Sequence, residues 1–204
     1  MDLTLTDGNL RRLNIIRPDS TVFVGVDLGK RENHSAIVVV ERFQEMPGFT
    51  DVLRGAGSRR RYVVRQAERV MLGTPYTEVA ARVKQVVEQV TALRASCVLV
   101  VDESGPGVPV VEMMKELGMG CALYPYTITS GQAATRSSVP RSELVTKLQL
   151  MLERGELEIA AGCRHAEELA RELVHLQLSG KAAGENDDLV MALALACWRA
   201  RVRW

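Results

Sequence analysis

Four aspartates stand where a buried element of the chain is expected to end or to begin. Asp27 closes the apolar run TVFVGVDL, Asp102 follows the apolar run SCVLVV, and Asp187 and Asp188 directly precede the apolar segment LVMALALACW. Burying a lone carboxylate costs many kcal/mol, so each needs a hydrogen-bond partner, an opposite charge or a metal ion. Three such positions on separate elements are what a two-metal site requires, and a pair of divalent cations can catalyse phosphodiester hydrolysis.

Each of these aspartates also has a structural explanation. Asp27 can cap a turn at the end of its strand, and Asp102 can support the tight turn around Gly105 and Gly107. One acid of the pair can complement the dipole of the last helix, which Asn186 would cap. Two adjacent acids at the mouth of a buried helix nevertheless require a positive partner. The metal hypothesis therefore holds only if the fold brings the three positions together.

The pattern of apolar residues predicts an α/β fold with one mixed sheet. Three segments of strand character separated by polar loops predict an antiparallel meander, and a later strand, helix and strand predict a parallel unit. The predicted strands are 21–28, 35–43, 59–67, 96–101, 121–126 and a short edge strand at 156–160, and the predicted helices are 77–94, 108–117, 140–154, 166–177 and 189–201. The aromatic-free segment 127–139 is expected to be a mobile surface loop that gates access to the site.

Strand geometry orients two of the acids. Because side chains alternate along a strand, Asp27 should share a face with Phe23 and Gly25. Asp102 ends a parallel strand, and ligand sites of open α/β sheets lie beyond the carboxyl ends of such strands. Glu103 has the opposite parity, so it is ranked below Asp102.

Two groups of basic residues are candidates for binding phosphates. Arg54, Arg59, Arg60, Arg61 and Arg65 fall within twelve residues that contain no acid, and such a patch can neutralise a DNA backbone without reading its sequence. The alternative is a solvated edge strand whose charges prevent aggregation. The second group comprises Arg136, Arg141 and Lys147.

Length and composition predict a single domain over residues 1–204, with 1–20 as an N-terminal extension. The chain has 26 Lys and Arg against 25 Asp and Glu, and 47% of its residues are hydrophobic, which is ordinary for a globular protein. No apolar run is long enough to span a bilayer, and the first residues lack the pattern of a signal peptide. We therefore expect a cytoplasmic protein without a membrane partner.

Six segments, in this order, resemble the nuclease domain at the C-terminal end of the large terminase subunit of tailed bacteriophages. They are VGVDLGKRENHSAIVVVER, RRRYVVRQAERVMLGTPYTEVAARV, VLVVDESGPGVPVVEMM, YPYTITSG, VPRSELVTKLQLMLERGELEIA and GENDDLVMALALACW. The resemblance implies a ribonuclease H-like fold, in which three antiparallel strands are followed by parallel strands and flanked by helices. It also implies cleavage of double-stranded DNA in a bacterial host cell, with two Mg²⁺ or Mn²⁺ ions at the active site. The metal ligands that it implies are Asp27, Asp102 and the pair Asp187 and Asp188. Within the pair, Asp188 is preferred as the main ligand.

The sequence departs from this family in three places. Asn186 stands where the family commonly has His. The family also has an acid near the position of Asn33 or His34, which this chain lacks there. The chain also lacks the G-x-x-x-x-G-K-[ST] phosphate loop, so no ATPase motor is expected within it. A separate motor, or the portal and small-subunit proteins of a phage, are the partners that the resemblance implies besides DNA.

Three other functions stay open at this point. A structure-specific resolvase of Holliday-junction type would use the same fold and the same acids. A catalytically silent DNA-binding or assembly module would explain the missing motor and the change to Asn186. The segment VGVDLGKRENHSA is also similar to the first phosphate loop of actin-like ATPases, but those proteins need a second lobe that 204 residues do not provide.

Overall fold

A mixed sheet of seven strands organises the computed structural model, which describes residues 16–29, 33–53, 55, 57–105, 107–179 and 187–202. The strands are β1 (Thr21–Asp27), β2 (Ala36–Glu45), β3 (Arg59–Arg69), β4 (Ser96–Asp102), β5 (Ala122–Thr129), β6 (Ser138–Pro140) and β7 (Leu157–Ile159). Their order across the sheet is β6-β5-β4-β1-β2-β3-β7. Strands β1, β2 and β3 are antiparallel neighbours, whereas β4, β5 and β6 follow in parallel from β1. This confirms the predicted meander followed by a parallel unit.

Helices cover both faces of the sheet. They are α1 (Phe49–Leu53), α2 (Tyr76–Ala92), α3 (Gly107–Leu117), α4 (Arg141–Glu153), α5 (Ala166–Ser179) and α6 (Asp188–Arg201). On one face, Val22, Val24 and Val26 pack with α2 and α3, and on the other face, Phe23 packs with α4, α5 and α6. The alternation along β1 thus separates two cores, as the sequence predicts. None of the helices within the described ranges is long and apolar enough to cross a membrane.

Helix α6 packs very closely against β1 at the point where Gly25 faces Ala192. A Cβ at Gly25 would overlap the carbonyl oxygen of Ala192, so only glycine admits the helix at this distance. Trp198 anchors the same helix, because its buried ring meets Tyr126 edge to face at 4.8 Å. The packing fixes α6 with its first turn at the carboxyl ends of β1 and β4.

One helix was not predicted, and one predicted loop is too long. The segment 48–58, rich in glycine and polar residues, contains the short helix α1, which its composition does not indicate. The predicted loop 127–139 is shorter, because β5 continues to Thr129 and β6 begins at Ser138. The Thr127 N–H donates to the Ser137 carbonyl at 2.9 Å, so small polar residues here pair as strands. Most of the expected extension, residues 1–15, lies outside the described part of the chain, as does Arg54.

Candidate metal centre

The structure brings the predicted acids together at one end of the sheet, where β1 and β4 finish. Asp27 is the last residue of β1 and Asp102 is the last residue of β4. These strands are parallel neighbours with Val26 paired to Val101, so the two aspartates follow side by side. Both have the parity of the face that α6 covers, and α6 begins at Asp188. Three elements that are distant in sequence thus end or begin at the same place.

Asp27 experiences the charges of the other acids directly. Burial raises the pKa of the Asp27 carboxyl well above its ordinary value, and the negative charges of Asp102, Asp188 and Asp187 raise it further. Arg141 acts in the opposite direction. The ionised form of Asp27 therefore lacks sufficient positive charge among its neighbours.

Asp102 combines a structural role with its place at the site. Its side chain is buried, and its Oδ1 accepts the N–H of Ser104 at 2.9 Å. The Ser104 hydroxyl in turn accepts the N–H of Ile128 at 2.9 Å. A Cβ at Gly107 would lie 2.7 Å from the Asp102 carbonyl oxygen, which explains the glycine at the start of α3. The turn-supporting explanation for Asp102 is correct, and it fixes the carboxylate at the strand end.

Asp187 and Asp188 lie in different surroundings. Asp188 is 5% exposed, and its Oδ2 is buried without a hydrogen-bond partner among the described residues. Burial raises the pKa of Asp188, Arg69 and His34 lower it, and Asp187 raises it. Asp187 stands at the cap position of α6, makes no side-chain cap hydrogen bond and forms an ion pair with Arg141. Asn186, the expected cap, is outside the described residues.

Glu172 and Arg69 belong to this site and were not predicted from the sequence. One carboxylate oxygen of Glu172 accepts the N–H of Val190 at 2.9 Å, in the first turn of α6, and the other accepts from the Arg69 guanidinium. Burial raises the pKa of Glu172 to about 7, despite the opposing effects of this backbone hydrogen bond and of Arg69. No motif marks either residue, because 103 positions separate them.

The donor set fits a hard divalent cation, although the side chains do not form a metal cage. Among the described residues, no three His, Cys, Asp or Glu side chains are arranged to hold a metal ion. The acids nevertheless raise one another's pKa, and one buried oxygen of Asp188 has no hydrogen-bond partner in the described structure. Carboxylate oxygens are the ligands that Mg²⁺ and Mn²⁺ prefer.

The second basic group lies partly at this edge. Arg141 pairs with Asp187 and begins α4, whereas Arg136 is exposed in the segment between β5 and β6. Lys147 pairs with Glu143 at 2.7 Å and lies 5.8 Å from the Trp198 ring centroid. Of the three, Arg141 is the one that acts on the pKa of Asp27.

Arg59, Arg60 and Arg61 of the first basic group lie at the opposite end of the sheet. Arg69 is aligned through Ala36 with Asp27, whereas Arg60 pairs with Gln44 at the other end of β2. Gln44 lies eight positions after Ala36 along β2, which corresponds to about 26 Å. Arg59, Arg60 and Arg61 are therefore remote from the acids.

Arg65 is not available to a phosphate, which corrects its assignment to this group. It is 8% exposed and donates from Nε and Nη2 to Glu41 Oε2, at 2.8 and 2.5 Å. The twelve-residue window contains no acid, but Glu41 reaches Arg65 from the neighbouring strand β2.

The fold is ribonuclease H-like. The crystal structure of the large terminase nuclease from thermophilic phage G20c matches with a TM-score of 0.58 and 23% identity, over 89% of this chain and 83% of that chain. The same nuclease with bound zinc matches with a TM-score of 0.57 and 22% identity, over 89% and 82% of the two chains. The Thermus thermophilus RuvC structure aligns at a TM-score of 0.42 and 18% identity, over 88% and 93%. No protein-family model and no curated protein sequence matches the chain.

Proposed function

We propose that this chain is a divalent-metal-dependent nuclease that hydrolyses phosphodiester bonds of double-stranded DNA, as a terminase-like nuclease does. The observation that carries the proposal is the meeting of Asp27, Asp102 and Asp188 at one end of the sheet, where burial and the neighbouring acids raise the pKa values of Asp27 and Asp188. The zinc in the terminase nuclease of similar fold is consistent with this assignment. The ligand set proposed is Asp27, Asp102 and Asp188, with Asp187 assisting.

Each acid has its own part in the proposal. Two bound Mg²⁺ or Mn²⁺ ions would supply an activated water and stabilise the leaving oxygen. Asp27 and Asp102 present their carboxylates from the rigid ends of β1 and β4, and Asp188 presents its unpartnered Oδ2 from α6. Asp187 holds Arg141 beside the site, where the guanidinium is placed to bind a phosphate of the substrate.

The proposal is tested by cleavage of supercoiled plasmid with Mn²⁺, Mg²⁺ or EDTA, using wild type, Asp102→Asn and Glu103→Gln. Asn keeps an oxygen for the Ser104 N–H but loses the charge that a metal ligand needs. We expect Asp102→Asn to cut at least about 100-fold more slowly, because losing a group that only supports a metal ligand already costs about 10- to 100-fold. Glu103, which accepts from the Thr127 hydroxyl at 3.3 Å, is the matched control and should cut normally.

The outcomes separate the competing functions. Equal cutting by wild type and Asp102→Asn would expose a contaminating nuclease. A folded wild type that cuts with neither Mn²⁺ nor Mg²⁺ would contradict the proposed nuclease activity. Faster cutting of a four-way junction than of linear duplex would favour a resolvase. A packaging role would require a motor protein, and stimulation of cutting by that motor would be its sign.

A further inference from the structure

Two adjoining clefts lie at the end of the sheet opposite the acids. One, of about 420 Å³, is lined by Arg42, Arg60 and Arg201 together with Asp19. The other, of about 450 Å³, is lined by Arg59, Arg60, Arg61, Arg154, Arg201 and Glu156. Arg60 and Arg201 border both clefts, so the two form one concave surface, called here the arginine cleft. Six arginines face two acids across it.

The positive charge of the arginine cleft is only partly neutralised. Arg201 and Arg154 share Glu156, and Arg61 pairs with Glu45 and Glu158. Within the described ranges, Arg59 and Arg60 have no carboxylate at ion-pair distance. Two cations thus stand over a concave surface without an anionic partner.

The interior of the cleft carries the same excess of charge. Arg42 donates to the Ala200 carbonyl at 2.8 Å and to the Thr21 hydroxyl at 3.2 Å, which fixes its guanidinium at the end of α6. Burial lowers the pKa of Arg42, Tyr62 opposes this effect, and the like charges of Arg60 and Arg199 lower the pKa further. An anion in the cleft would relieve this repulsion.

Arg42, Arg60 and Arg201 of the arginine cleft lie on the same face of the sheet as the acids, whereas Arg59 and Arg61 have the opposite parity along β3. Arg60 has the parity of Tyr62 and Val64, which pack in the α6 core. Helix α6 connects the two places, because Asp188 begins it and Arg201 ends it after 14 residues, about 20 Å along the helix axis. Helix α4 runs alongside, from Arg141 near the acids to Glu153 beside the cleft.

We propose that the arginine cleft binds phosphate groups of a nucleic acid strand, roughly 20 Å from the phosphodiester bond that is cut. Planar guanidinium groups bind phosphate oxygens in pairs, and arginine stays charged at any physiological pH. One strand carries a phosphate about every 3.4 Å along a duplex, so 20–26 Å corresponds to about six to eight base pairs. The cleft thus acts as a second, sequence-independent contact for long duplexes. This assignment takes DNA as the ligand and in that respect rests on the proposed function.

The test compares Arg59→Gln/Arg60→Gln with a charge-matched control, Arg94→Gln/Lys115→Gln. Arg94 is exposed after α2, and Lys115 lies on α3, on the opposite face of the sheet. Binding of a fluorescent 30-base-pair duplex is measured by anisotropy in EDTA at several salt concentrations. Losing two phosphate contacts should lower the slope of log affinity against log salt by about 1.8, which corresponds to about 60-fold weaker binding at 0.1 M salt when the affinities are equal at 1 M. The control should match wild type.

Equal affinity and salt slope in wild type and Arg59→Gln/Arg60→Gln would overturn the proposal. Calorimetry with inorganic pyrophosphate provides the second arm: if the double variant loses pyrophosphate binding but keeps duplex affinity, the cleft serves small phosphate compounds and the nucleic acid assignment is wrong. The plasmid assay keeps the two proposals apart. A wild type that never cuts, yet binds duplex through Arg59 and Arg60, would refute only the nuclease.

Discussion

The Arg69 guanidinium donates to the same Glu172 carboxylate that accepts the Val190 N–H in the first turn of α6. This arrangement joins the end of β3 to the start of the helix that carries Asp188. A carboxylate at a helix N-terminus also stabilises the helix dipole. We therefore interpret Glu172 and Arg69 as residues that position Asp188 without contacting substrate.

This role predicts a specific effect of Glu172→Gln. Glutamine keeps an oxygen for the Val190 N–H but cannot neutralise Arg69, so Arg69 is expected to turn toward Asp188. Mn²⁺ affinity, measured by calorimetry, should fall about 10- to 100-fold, the usual cost of losing a group that orients a metal ligand.

Glu68→Gln provides the matched control. Glu68 precedes Arg69, the last residue of β3, and forms a similarly buried pair with Arg82 of α2, at 2.7 Å, on the opposite face of the sheet. It should keep its Mn²⁺ affinity. If both variants bind Mn²⁺ like wild type, Glu172 is structural only.

The stability of the metal-free protein should depend on pH, because several acids at the site have raised pKa values. Asp27, Asp188 and Glu172 have folded-state pKa values above their ordinary values, to about 7 for Glu172. The folded state then binds more protons than the unfolded state between about pH 4 and 7, so their contribution is present at low pH and is lost as pH rises through that window. Asp27→Asn removes one of these charges.

We expect Asp27→Asn to be more stable than wild type at pH 8 in EDTA. The melting temperature should rise by at least about 2–4 °C, the shift that 1 kcal/mol produces in a domain of this size. At pH 4 the two proteins should melt within a degree or so of each other. A variant that is less stable than wild type at pH 8 would show that Asp27 already has a compensating charge.

The orientation of Asp27 and Asp102 can be predicted from the sequence because strand alternation is a local property. The parity of Asp27 with Phe23 and Gly25 requires only the run TVFVGVDL, and the Asp102 position requires only a strand followed by a glycine turn. Arg65 was misassigned for the opposite reason. Its partner Glu41 lies 24 positions earlier, and only the β2–β3 register brings the two side chains together.

The remaining parts of the site depend on long-range packing. The three-residue strand β7 joins the sheet beside β3, a placement that its sequence cannot specify. The pair of Arg69 and Glu172 likewise requires α5 to pack next to α6. The arginine cleft adds Arg42 of β2 and Arg201 of α6 to the basic run 59–61 of β3, so only half of its arginines are visible in a single sequence window.

Divalent metal should stabilise the protein in a pH-dependent way. At a metal concentration about 100 times Kd, binding to the folded state alone adds about 2.7 kcal/mol, which corresponds to a rise in melting temperature of roughly 5–10 °C. The rise should be present at pH 8 and smaller at pH 5, where the raised pKa values of Asp27 and Asp188 leave the acids partly protonated. Differential scanning fluorimetry with Mn²⁺ measures both.

Asp188→Asn and Glu103→Gln distinguish this site from adventitious metal binding. Asp188→Asn should lose most of the Mn²⁺ shift, since it removes the carboxylate whose Oδ2 has no hydrogen-bond partner within the described residues. Glu103→Gln should keep the full shift. An undiminished shift in Asp188→Asn would place the metal elsewhere.

The close approach of α6 to β1 makes Gly25 the position at which the site depends most directly on packing. In Gly25→Ala the new methyl group would overlap the Ala192 carbonyl, and neither backbone can yield without moving the helix. We expect a loss of about 1–3 kcal/mol or more, measured by urea unfolding. Displacement of α6 should also weaken Mn²⁺ binding, because Asp188 begins that helix.

Gly57→Ala is the control, because a Cβ at Gly57 would meet nothing within 4 Å. Its free energy of unfolding should stay within about 0.5 kcal/mol of wild type, and its Mn²⁺ affinity should be unchanged. If Gly25→Ala loses stability but keeps full Mn²⁺ affinity, Asp188 is not held in place through α6. The two acids at the strand ends would then suffice for the metal, and the case for Asp188 as a ligand would fail.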